Sequence, residues 1–378
     1  MITPYFYPVI GGSQNYIVGL FSALRKIDHT IEVDVITYNT EKTTSEETVE
    51  GLHVFRVPAI ELLSHQFAIP NYWSLARLIH DLKRNNSYSI VNSHTRFFDN
   101  SWWTPIAAKY LHAKSVLTDH CAAHPSHDNY IVRALAKLAD HLAIRLIVPW
   151  YDQITVVSSA TKDFLAAHGV KSPITIVSGA VDLNRFESKR SLPQSLSFLK
   201  TVKKNTAVIS FIGRLIPAKG VIHFLEAARL LSKKNRSIEI VVAGDGELFP
   251  MISKMAQENI HIVGTLDKDG VTALLQRTDV IVHPSTHHEG LPLTILEAGA
   301  AGCAVLATPI GETKSLLSNG RGSFCLPTSQ SIADEAGNLL VERKNAKLMG
   351  KKLRQHILNQ YSWEQSAKIF QQQVVNSR

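Results

Sequence analysis

The sequence predicts an α/β protein made of two doubly wound domains, each built on a parallel sheet. Short apolar segments such as SIVNSH, QITVVSS, AVISFIG and SIEIVVAG alternate with longer segments in which apolar residues follow helical spacing. At 378 residues, the chain is long for one core and sufficient for two. Histidine or glycine residues follow the ends of several strands, where ligands bind in such sheets.

Composition and charge narrow the class of protein. Hydrophobic residues make up 45% of the chain, and no apolar run approaches the roughly 20 residues that span a bilayer. The three cysteines are scattered and no signal peptide opens the chain, so we expect a cytoplasmic protein. The net charge of +8 lies entirely after residue 185, which suits a polyphosphate ligand or an anionic membrane surface. No zinc-finger, RRM or basic-zipper pattern is present, so nucleic acid is not an expected partner.

The first half begins with a short strand, a Gly-Gly loop and a helix. Gly11 and Gly12 precede apolar residues at helical spacing, and Ser13 is placed to cap this helix. Strands and helices then alternate up to residue 185, and two of the strands end in His94 and His120. Both histidines are therefore expected at the carboxyl edge of the first sheet.

Several side chains of types that bind metals follow the second of these strands. They are His120, Cys121, His124, His127 and Asp128. Pro125 breaks any helix that would align them, and the chain has no H-E-x-x-H motif. We therefore do not expect a metal site here. His120 is either a site residue or a structural histidine at the end of its strand.

The stretch from Tyr130 to Val148 is predicted to be one long helix. It is apolar over much of its circumference, with Arg133, Lys137 and Arg145 spaced along it. We favour a packed helix whose charges face water. The alternative is a basic amphipathic helix that lies on a membrane surface.

Two segments are predicted to be irregular. The polar run 41–50 separates two strands and is expected to be a loop. Residues 188–205 are polar and basic, which suits a linker between the two domains.

The second half opens with a strand followed by GRLIPAKG. Arg214 and Lys219 lie in this loop, at the carboxyl end of the strand. Arginine binds two phosphate oxygens at once and lysine adds a mobile point charge, so the loop is suited to phosphate groups. The later turn AGDGE is not a dinucleotide fingerprint, because Phe249 stands where the last glycine is needed.

The stretch EGLPLTILEAGAAG, residues 289–302, places two carboxylates around the start of a helix. Pro292 suits the first helical position, and Gly302 is placed to end the helix. The N–H groups at a helix start bind anions, whereas a carboxylate accepts hydrogen bonds from the hydroxyls of a sugar or ribose. Glu289 and Glu297 beside such a helix start therefore indicate a ligand with phosphates and vicinal hydroxyls, as in a sugar nucleotide.

These segments resemble the motifs of one protein family. PSTHHEGLPLTILEAGAAG is similar to the signature of the retaining glycosyltransferases of family 4, and GRLIPAKG matches the G-R-x-x-x-x-K-G loop of that family. The V-x-T-x-H context of His120 and the closing YSWEQSAKIFQQQVV extend the resemblance over nearly the whole chain. The resemblance implies the GT-B fold, in which two Rossmann-like domains face each other across a cleft.

The resemblance also implies domain boundaries. Residues 1–185 would form an acceptor-binding domain and residues 186–360 a nucleotide-sugar-binding domain, while residues 361–378 would form a helix that crosses back to the first domain. SGAVDLNRF resembles the family's N-G-V-D-x-x-x-F turn between domains, with Ser178 in place of asparagine and an inserted alanine.

By the same resemblance, the candidate residues have separate roles. His120 and Glu289 would be catalytic, with Glu289 at the donor sugar, and Glu297 would bind the ribose hydroxyls. Arg214 and Lys219 would bind the diphosphate. The other substrate-binding residues would be Gly11, Gly12, Gly290, Leu291, Leu293 and Thr294. Cations and helix N–H groups would stabilise the leaving diphosphate, so neither a metal nor another cofactor is expected.

We therefore expect a retaining glycosyltransferase that moves a hexose from a nucleoside-diphosphate sugar to a hydroxyl acceptor. The acceptor would be a glycan, a lipid-linked glycan or a small molecule, and the protein would contact the inner membrane face peripherally. One alternative is a hydrolase or epimerase that uses Glu289 and Glu297 as acid and base. Another is a non-catalytic binder of anionic polymers, driven by the basic second half.

Overall fold

The computed structural model describes residues 1–9, 11–63, 67–125, 130–203, 205–234 and 237–377. His127 and Asp128 of the histidine-rich segment lie outside the described residues. The contacts divide the chain into two compact units. Unit 1 comprises Met1–Ala180 and Trp363–Arg378, and unit 2 comprises Val181–Ser362.

Unit 1 contains eight named strands in its described residues. They are β1 (Asp34–Asn39), β2 (Glu46–Val49), β3 (Leu52–Leu63), β4 (Phe67–Pro70), β5 (Ile90–His94), β6 (Lys114–Asp119), β7 (Gln153–Val156) and β8 (Ile174–Ile176). Its helices are α1 (Gly12–Ile27), α2 (Tyr72–Asn85), α3 (Asn100–Leu111), α4 (Tyr130–Leu142), α5 (Ser159–Ala167) and the closing helix Trp363–Phe370.

The sheet of unit 1 reverses its strand order at the start of the chain. Its two halves have the orders β2–β3–β1 and β5–β6–β7–β8, and Ile2 forms bridges to Ile36 of β1 and Ser93 of β5. Most pairings are parallel, whereas β2 and β4 run antiparallel to β3. Gly11 and Gly12 begin α1, which is the first helix after this point of reversal. Doubly wound sheets bind ligands at such a reversal.

The closing helix packs against α1 within unit 1. The ring centroids of Phe21 and Phe370 are 5.5 Å apart, and Ala367 and Phe370 are buried. A β-carbon added to Gly19 would lie 2.2 Å from the Trp363 ring, which shows how closely α1 and the closing helix approach each other.

We expect Gly19→Ala to destabilise unit 1 by about 1–3 kcal/mol, because the added methyl group must displace the Trp363 ring. Gly12→Ala is the matched control in the same helix, since a β-carbon there would meet nothing within 4 Å. Urea denaturation followed by tryptophan fluorescence compares the two variants. Equal stability of both variants would show that the contact with Trp363 is not tight.

Unit 2 is a six-stranded parallel sheet flanked by helices. Its strands are β9 (Ala207–Ile212), β10 (Ile238–Ala243), β11 (Ile260–Gly264), β12 (Val280–His283), β13 (Ala304–Ala307) and β14 (Ser323–Phe324). Its helices are α6 (Val221–Lys234), α7 (Phe249–Ile252), α8 (Lys268–Leu275), α9 (Leu293–Ala301), α10 (Thr313–Leu317), α11 (Ser329–Val341) and α12 (Arg343–Gln360).

The strand order of unit 2 is β11–β10–β9–β12–β13–β14, and each pairing between these named strands is parallel. The order reverses between β9 and β12, because the chain first builds outward from β9 through β10 and β11 and then returns. The loops that leave the carboxyl ends of β9 and β12 therefore lie next to each other. Such a position is the usual ligand site of a doubly wound sheet.

Both segments that were predicted to be irregular contain regular structure. The run 41–50 includes β2, which pairs antiparallel with β3. The predicted linker 188–205 includes the 3₁₀ helix Gln194–Lys200. Leu196 and Leu199 of this helix are buried against the sheet of unit 2. The linker prediction was wrong because two leucines three residues apart present one apolar side to the core.

The predicted long helix is interrupted. It consists of α4, the π-helical turn Ala143–Ile147 and the 3₁₀ turn Val148–Trp150. Ile144 and Ile147 pack in the core with Leu117, whereas Asp140 is the buried residue of α4 itself. The interpretation as a packed helix is therefore wrong for α4. In the described part of the chain, no helix is long and apolar enough to cross a membrane.

Candidate functional site

Hydrogen bonds hold the loop after β9 against the loop after β12. The Ala218 carbonyl accepts from the Thr286 N–H at 2.9 Å and from the Ser285 hydroxyl at 3.1 Å. Arg214 and Lys219 are carried by the first of these loops. Both predicted cations are therefore placed at the reversal of the unit 2 sheet.

Two glycines allow the backbone to come close at this point. Gly220 has a φ of +69°, and a β-carbon there would lie 2.1 Å from the Pro284 carbonyl oxygen. Gly311 has a φ of +52°, and its β-carbon would lie 2.4 Å from the Glu289 carbonyl oxygen. Because an L side chain at either position would clash and be strained, these glycines fix the positions of Lys219 and Glu289.

Glu289 lies between two cationic or hydrogen-bonding side chains. Its Oε2 is 2.6 Å from Lys219 Nζ, and its Oε1 is 2.7 Å from His283 Nε2. Burial alone would raise the pKa of the Glu289 carboxyl, but His283 and Lys219 together hold that pKa well below its usual range. Glu289 is therefore an ionised carboxylate whose orientation is fixed from two sides.

The two predicted cations have different surroundings. The Lys219 side chain is one-fifth exposed and paired with Glu289, whereas Arg214 is exposed. Lys219 can neutralise negative charge at the Glu289 carboxylate. Arg214 retains an accessible planar guanidinium, which suits bidentate binding of phosphate oxygens.

The helix α9 begins and ends close to the predicted positions. Pro292 is its N-cap residue, one position before the first helical residue, and Gly302 ends the helix in the left-handed conformation with a φ of +80°. Leu293 and Thr294 form the first turn, so their N–H groups precede the first intrahelical hydrogen bonds. Gly290 and Leu291 lead into this turn from Glu289. The helix start can therefore bind an anion beside the Glu289 carboxylate.

Glu297 lies one turn further along α9 and pairs with Arg185 at 3.3 Å. Arg185 also donates to the Thr272 hydroxyl at 2.9 Å and to the Lys268 carbonyl. Burial raises the pKa of the Glu297 carboxyl, and the Arg185 guanidinium opposes this shift. Glu297 thus has a different partner and a different electrostatic environment from Glu289.

Unit 1 brings together His94, which ends β5, and His120, which follows β6. His94 Nδ1 and His120 Nε2 are 2.9 Å apart, and the Tyr16 ring meets His120 edge-on, with centroids 4.9 Å apart. Burial lowers the pKa of His120 to about 4. Burial, and then the neighbouring His120, hold the pKa of His94 well below its usual value. Both imidazoles are therefore neutral at neutral pH.

Gly11 and Gly12 lie at the start of α1. Gly11 is the N-cap residue and Gly12 the first residue of the helix, and no side chain caps the N-terminus. The prediction that Ser13 caps the helix is therefore wrong. Ser13 is already inside the helix, where its hydroxyl donates to Gln14 Oε1 at 3.1 Å.

A buried ion-pair cluster includes Asp119, the residue that precedes His120. The guanidinium of Arg96 pairs with Asp119 and Asp140, and it donates to the backbone carbonyls of the loop that follows His120. His124 Nδ1 contacts Asp140 Oδ2 at 2.5 Å. Among the described side chains, no group of three or more metal-binding residues could hold a metal ion. The charged residues of this region instead connect α4 to the end of β6.

Sequence inspection missed three residues that form these contacts. His283 ends β12 just as His94 ends β5, and this position could have identified it. Arg185 lies in the DLNRF segment, where only the surrounding turn was noted. No local sequence pattern identifies Arg96, because its partners Asp119 and Asp140 are distant in sequence.

Two family models match the chain. The model described as Glycosyltransferase Family 4 matches residues 10–185. The model described as Glycosyl transferases group 1 matches residues 195–356. The second match contains all the unit 2 candidate residues described above except Arg185, and the first contains His120 and the Gly-Gly loop.

Several proteins are similar to the chain over nearly its whole length. An uncharacterized glycosyltransferase of Methanocaldococcus jannaschii is 25% identical, over 97% of this chain and 95% of its own length. The phosphatidylinositol N-acetylglucosaminyltransferase gpi3 subunit of Schizosaccharomyces pombe is 20% identical, over 98% of this chain and 79% of its own. The crystal structure of Anabaena HepE in complex with UDP superposes with a TM-score of 0.76 at 16% identity and covers 100% of this chain and 99% of that one. The chain therefore belongs to glycosyltransferase family 4, has the GT-B fold of two Rossmann-like domains, and is a glycosyltransferase.

Proposed function

We propose that this glycosyltransferase transfers a hexose from a nucleoside-diphosphate sugar to a hydroxyl acceptor with retention of configuration and without a metal ion. The observation that carries the proposal is the arrangement at the reversal of the unit 2 sheet. There the Lys219–Glu289 pair precedes the start of α9, and the exposed Arg214 lies on the same loop as Lys219. These groups match the phosphates and hydroxyls of a sugar nucleotide.

In this proposal, unit 2 binds the donor. Arg214, Lys219 and the N–H groups of Leu293 and Thr294 bind the diphosphate, where positive charge and free donors are concentrated. Glu297 accepts hydrogen bonds from the ribose hydroxyls. A uracil nucleotide is the first donor to test, because crystal structures of the similar HepE contain UDP and UDP-glucose.

Glu289 acts as an ionised hydrogen-bond acceptor for the donor sugar. Its lowered pKa supports this role and argues against a general acid, because an acid must carry a proton at the working pH. His283 and Lys219 hold the carboxylate in place before the donor arrives, so no reorganisation is needed during reaction.

The transfer step breaks the bond between the anomeric carbon and the diphosphate oxygen. The acceptor oxygen bonds to the same face of the anomeric carbon, and its proton passes to the departing diphosphate. Arg214, Lys219 and the helix N–H groups neutralise the charge that develops on the diphosphate, which is the role that a metal would otherwise fill.

Unit 1 presents the acceptor near His120. A neutral imidazole can donate one hydrogen bond and accept another, and His94 occupies one of the two ring nitrogens. We propose a glycan or lipid-linked acceptor, with peripheral contact at the cytoplasmic face of a membrane. The name of the phosphatidylinositol N-acetylglucosaminyltransferase relatives supports a lipid acceptor.

A donor screen tests this function. UDP-, GDP- and ADP-sugars are added to the purified chain in EDTA, and thermal unfolding is recorded. We expect one nucleotide class to raise the melting temperature, because a ligand that binds only the native state stabilises it. The preferred donor is then incubated with candidate acceptors and with water alone. NMR should show an acceptor-dependent product with the anomeric configuration of the donor. Inversion, full inhibition by EDTA, or equal turnover in water would each contradict the proposal.

A further inference from the structure

The outer side of α4 and the turns that follow it carries a continuous apolar stripe. Its residues are Ile131, Leu135, Leu138, Leu142, Leu146 and Trp150. Their spacing of three or four residues places them on one side of the helix. Each side chain is between 40% and 67% exposed. A contiguous apolar surface of this kind is uncommon on a soluble chain unless it binds something.

A basic stripe runs beside the apolar one. Arg133, Lys137, His141 and Arg145 follow each other at four-residue intervals. Asp140 is the only acidic residue between Tyr130 and Trp150, and it is buried in its pair with Arg96. The segment therefore presents positive charge and apolar side chains to the outside, without an exposed acidic residue of its own.

A second exposed apolar element lies at the carboxyl edge of the unit 1 sheet. The pairing of β1 with β3 ends at Pro58, so the β3–β4 hairpin extends beyond this edge. Ile60 and Ile69 are cross-strand partners in the hairpin and are 70% and 37% exposed. Trp73 follows at the start of α2 with 88% exposure. His120 and the described residues 121–125 follow β6 at the same edge.

We propose that the two stripes of 131–150 form a membrane-docking face that rests on an anionic lipid bilayer at the level of the headgroups. The apolar side chains would enter the headgroup and acyl boundary, Trp150 would lie at the interface, and the basic side chains would meet lipid phosphates. This inference identifies the surface that would make the membrane contact of the proposed function, and to that extent it rests on that function. Charge complementarity favours an anionic bilayer over a second copy of this chain, because the same basic stripes would face each other in a dimer.

The docking face also has a connection to the candidate site. Arg96 joins Asp140 of α4 to Asp119 at the end of β6, and His120 is the next residue. A bilayer on this face would therefore contact α4, which Arg96 joins to the end of β6 next to His120. A lipid-linked acceptor could reach this edge while its lipid stays in the bilayer.

Vesicle binding by the full chain tests the docking face. The probes are vesicles of phosphatidylcholine alone and of phosphatidylcholine with about a third phosphatidylglycerol. We expect binding to the anionic vesicles that weakens as salt is raised, and little binding to the neutral ones. Leu135→Glu/Leu138→Glu should weaken binding roughly 30-fold or more, because two apolar side chains that would enter the bilayer become charged. The matched control is Leu326→Glu/Val341→Glu, which changes two exposed apolar residues of unit 2 and should bind as the wild type does.

Variants that remove positive charge distinguish binding through this face from general attraction by the positive net charge of the chain. Lys137→Gln/Arg145→Gln should weaken anionic vesicle binding about 25-fold, since each basic residue near such a surface contributes about fivefold. Lys347→Gln/Lys351→Gln on α12 is the control and should have little effect. An equal loss in both pairs, or no binding by the wild type, would overturn the proposal. The proposal would also be overturned if sedimentation showed that the chain dimerises without lipid and that Leu135→Glu/Leu138→Glu abolishes the dimer. Donor-induced stabilisation should be unchanged in every variant, so failure here would remove the membrane contact but leave the proposed donor binding and hexose transfer intact.

Discussion

Replacing Glu289 by glutamine is expected to lower kcat by about 10²–10³-fold. The substitution keeps the shape of the side chain and removes the charge that Lys219 and His283 hold in place. In the proposed mechanism, this interaction strengthens as positive charge develops at the donor sugar, so kcat should fall more than KM rises. Steady-state kinetics with the donor varied at saturating acceptor measures both constants.

Glu297→Gln is the comparison variant, because it removes the other carboxylate of the same helix. Glu297 is proposed to bind the ribose, which does not change during transfer. Its loss should therefore mainly raise the donor KM and leave kcat within a few-fold of wild type. The assignment of roles would be reversed if the Glu289 variant kept wild-type kcat while the Glu297 variant lost it.

Arg96→Met should destabilise unit 1 by about 3–5 kcal/mol, the usual loss when one partner of a buried ion-pair group is removed. Arg96 is fully buried between Asp119 and Asp140, and both carboxylates are fully buried as well. Burial raises the pKa of Asp119, and Arg96 is the main group that opposes the shift. All five tryptophans, at positions 73, 102, 103, 150 and 363, belong to unit 1. Urea denaturation followed by tryptophan fluorescence therefore reports the unfolding of this unit.

Two further variants make the Arg96 experiment specific. Arg77→Met changes an exposed arginine of α2 and should stay within about 0.5 kcal/mol of wild type. Adding Asp140→Asn to Arg96→Met should recover part of the lost stability, because one uncompensated carboxylate is then neutral. Equal stability of the Arg96 and Arg77 variants would mean that the cluster contributes no net stability.

Much of the fold could be predicted from local patterns. Strands of four to six apolar residues that alternate with helices specify a parallel sheet, because both faces of such strands are covered. The carboxyl ends of parallel strands share one edge, so residues that follow different strands become neighbours. This rule predicted the edge positions of Arg214 and Lys219 in one sheet and of His94 and His120 in the other.

The pairings within the site depend on contacts that local patterns do not contain. Lys219 was expected to be a phosphate-binding cation, but its partner Glu289 is 70 residues away. Arg185 and Glu297 are separated by 112 residues. Which side chains pair is decided by close backbone approaches such as that of Gly220 to Pro284, and these approaches arise only when distant strands assemble.

The stretch 130–148 shows a different limit of sequence reasoning. Apolar and basic residues at helical spacing are expected both for a helix packed on a core and for a helix on a membrane surface. These two kinds of helix differ in which side of the helix is covered by the rest of the protein. In the structure, the covered side of α4 centres on Asp140, and Leu135 and Leu138 are exposed. The burial of an aspartate in place of a leucine depends on Arg96, which the local pattern does not include.

The binding of nucleoside diphosphate to unit 2 without metal is the central claim, and calorimetric titration tests it most directly. UDP, GDP and ADP are titrated in EDTA into wild type, Arg214→Ala, Lys219→Ala and the control Lys233→Ala, which changes an exposed lysine at the end of α6. We predict that the wild type and the control bind one diphosphate equally. The Arg214 and Lys219 variants should each lose about 1.5–3 kcal/mol, or roughly 10- to 150-fold in Kd. Unchanged affinity in both variants, or binding that appears only when a divalent metal is added, would contradict the account.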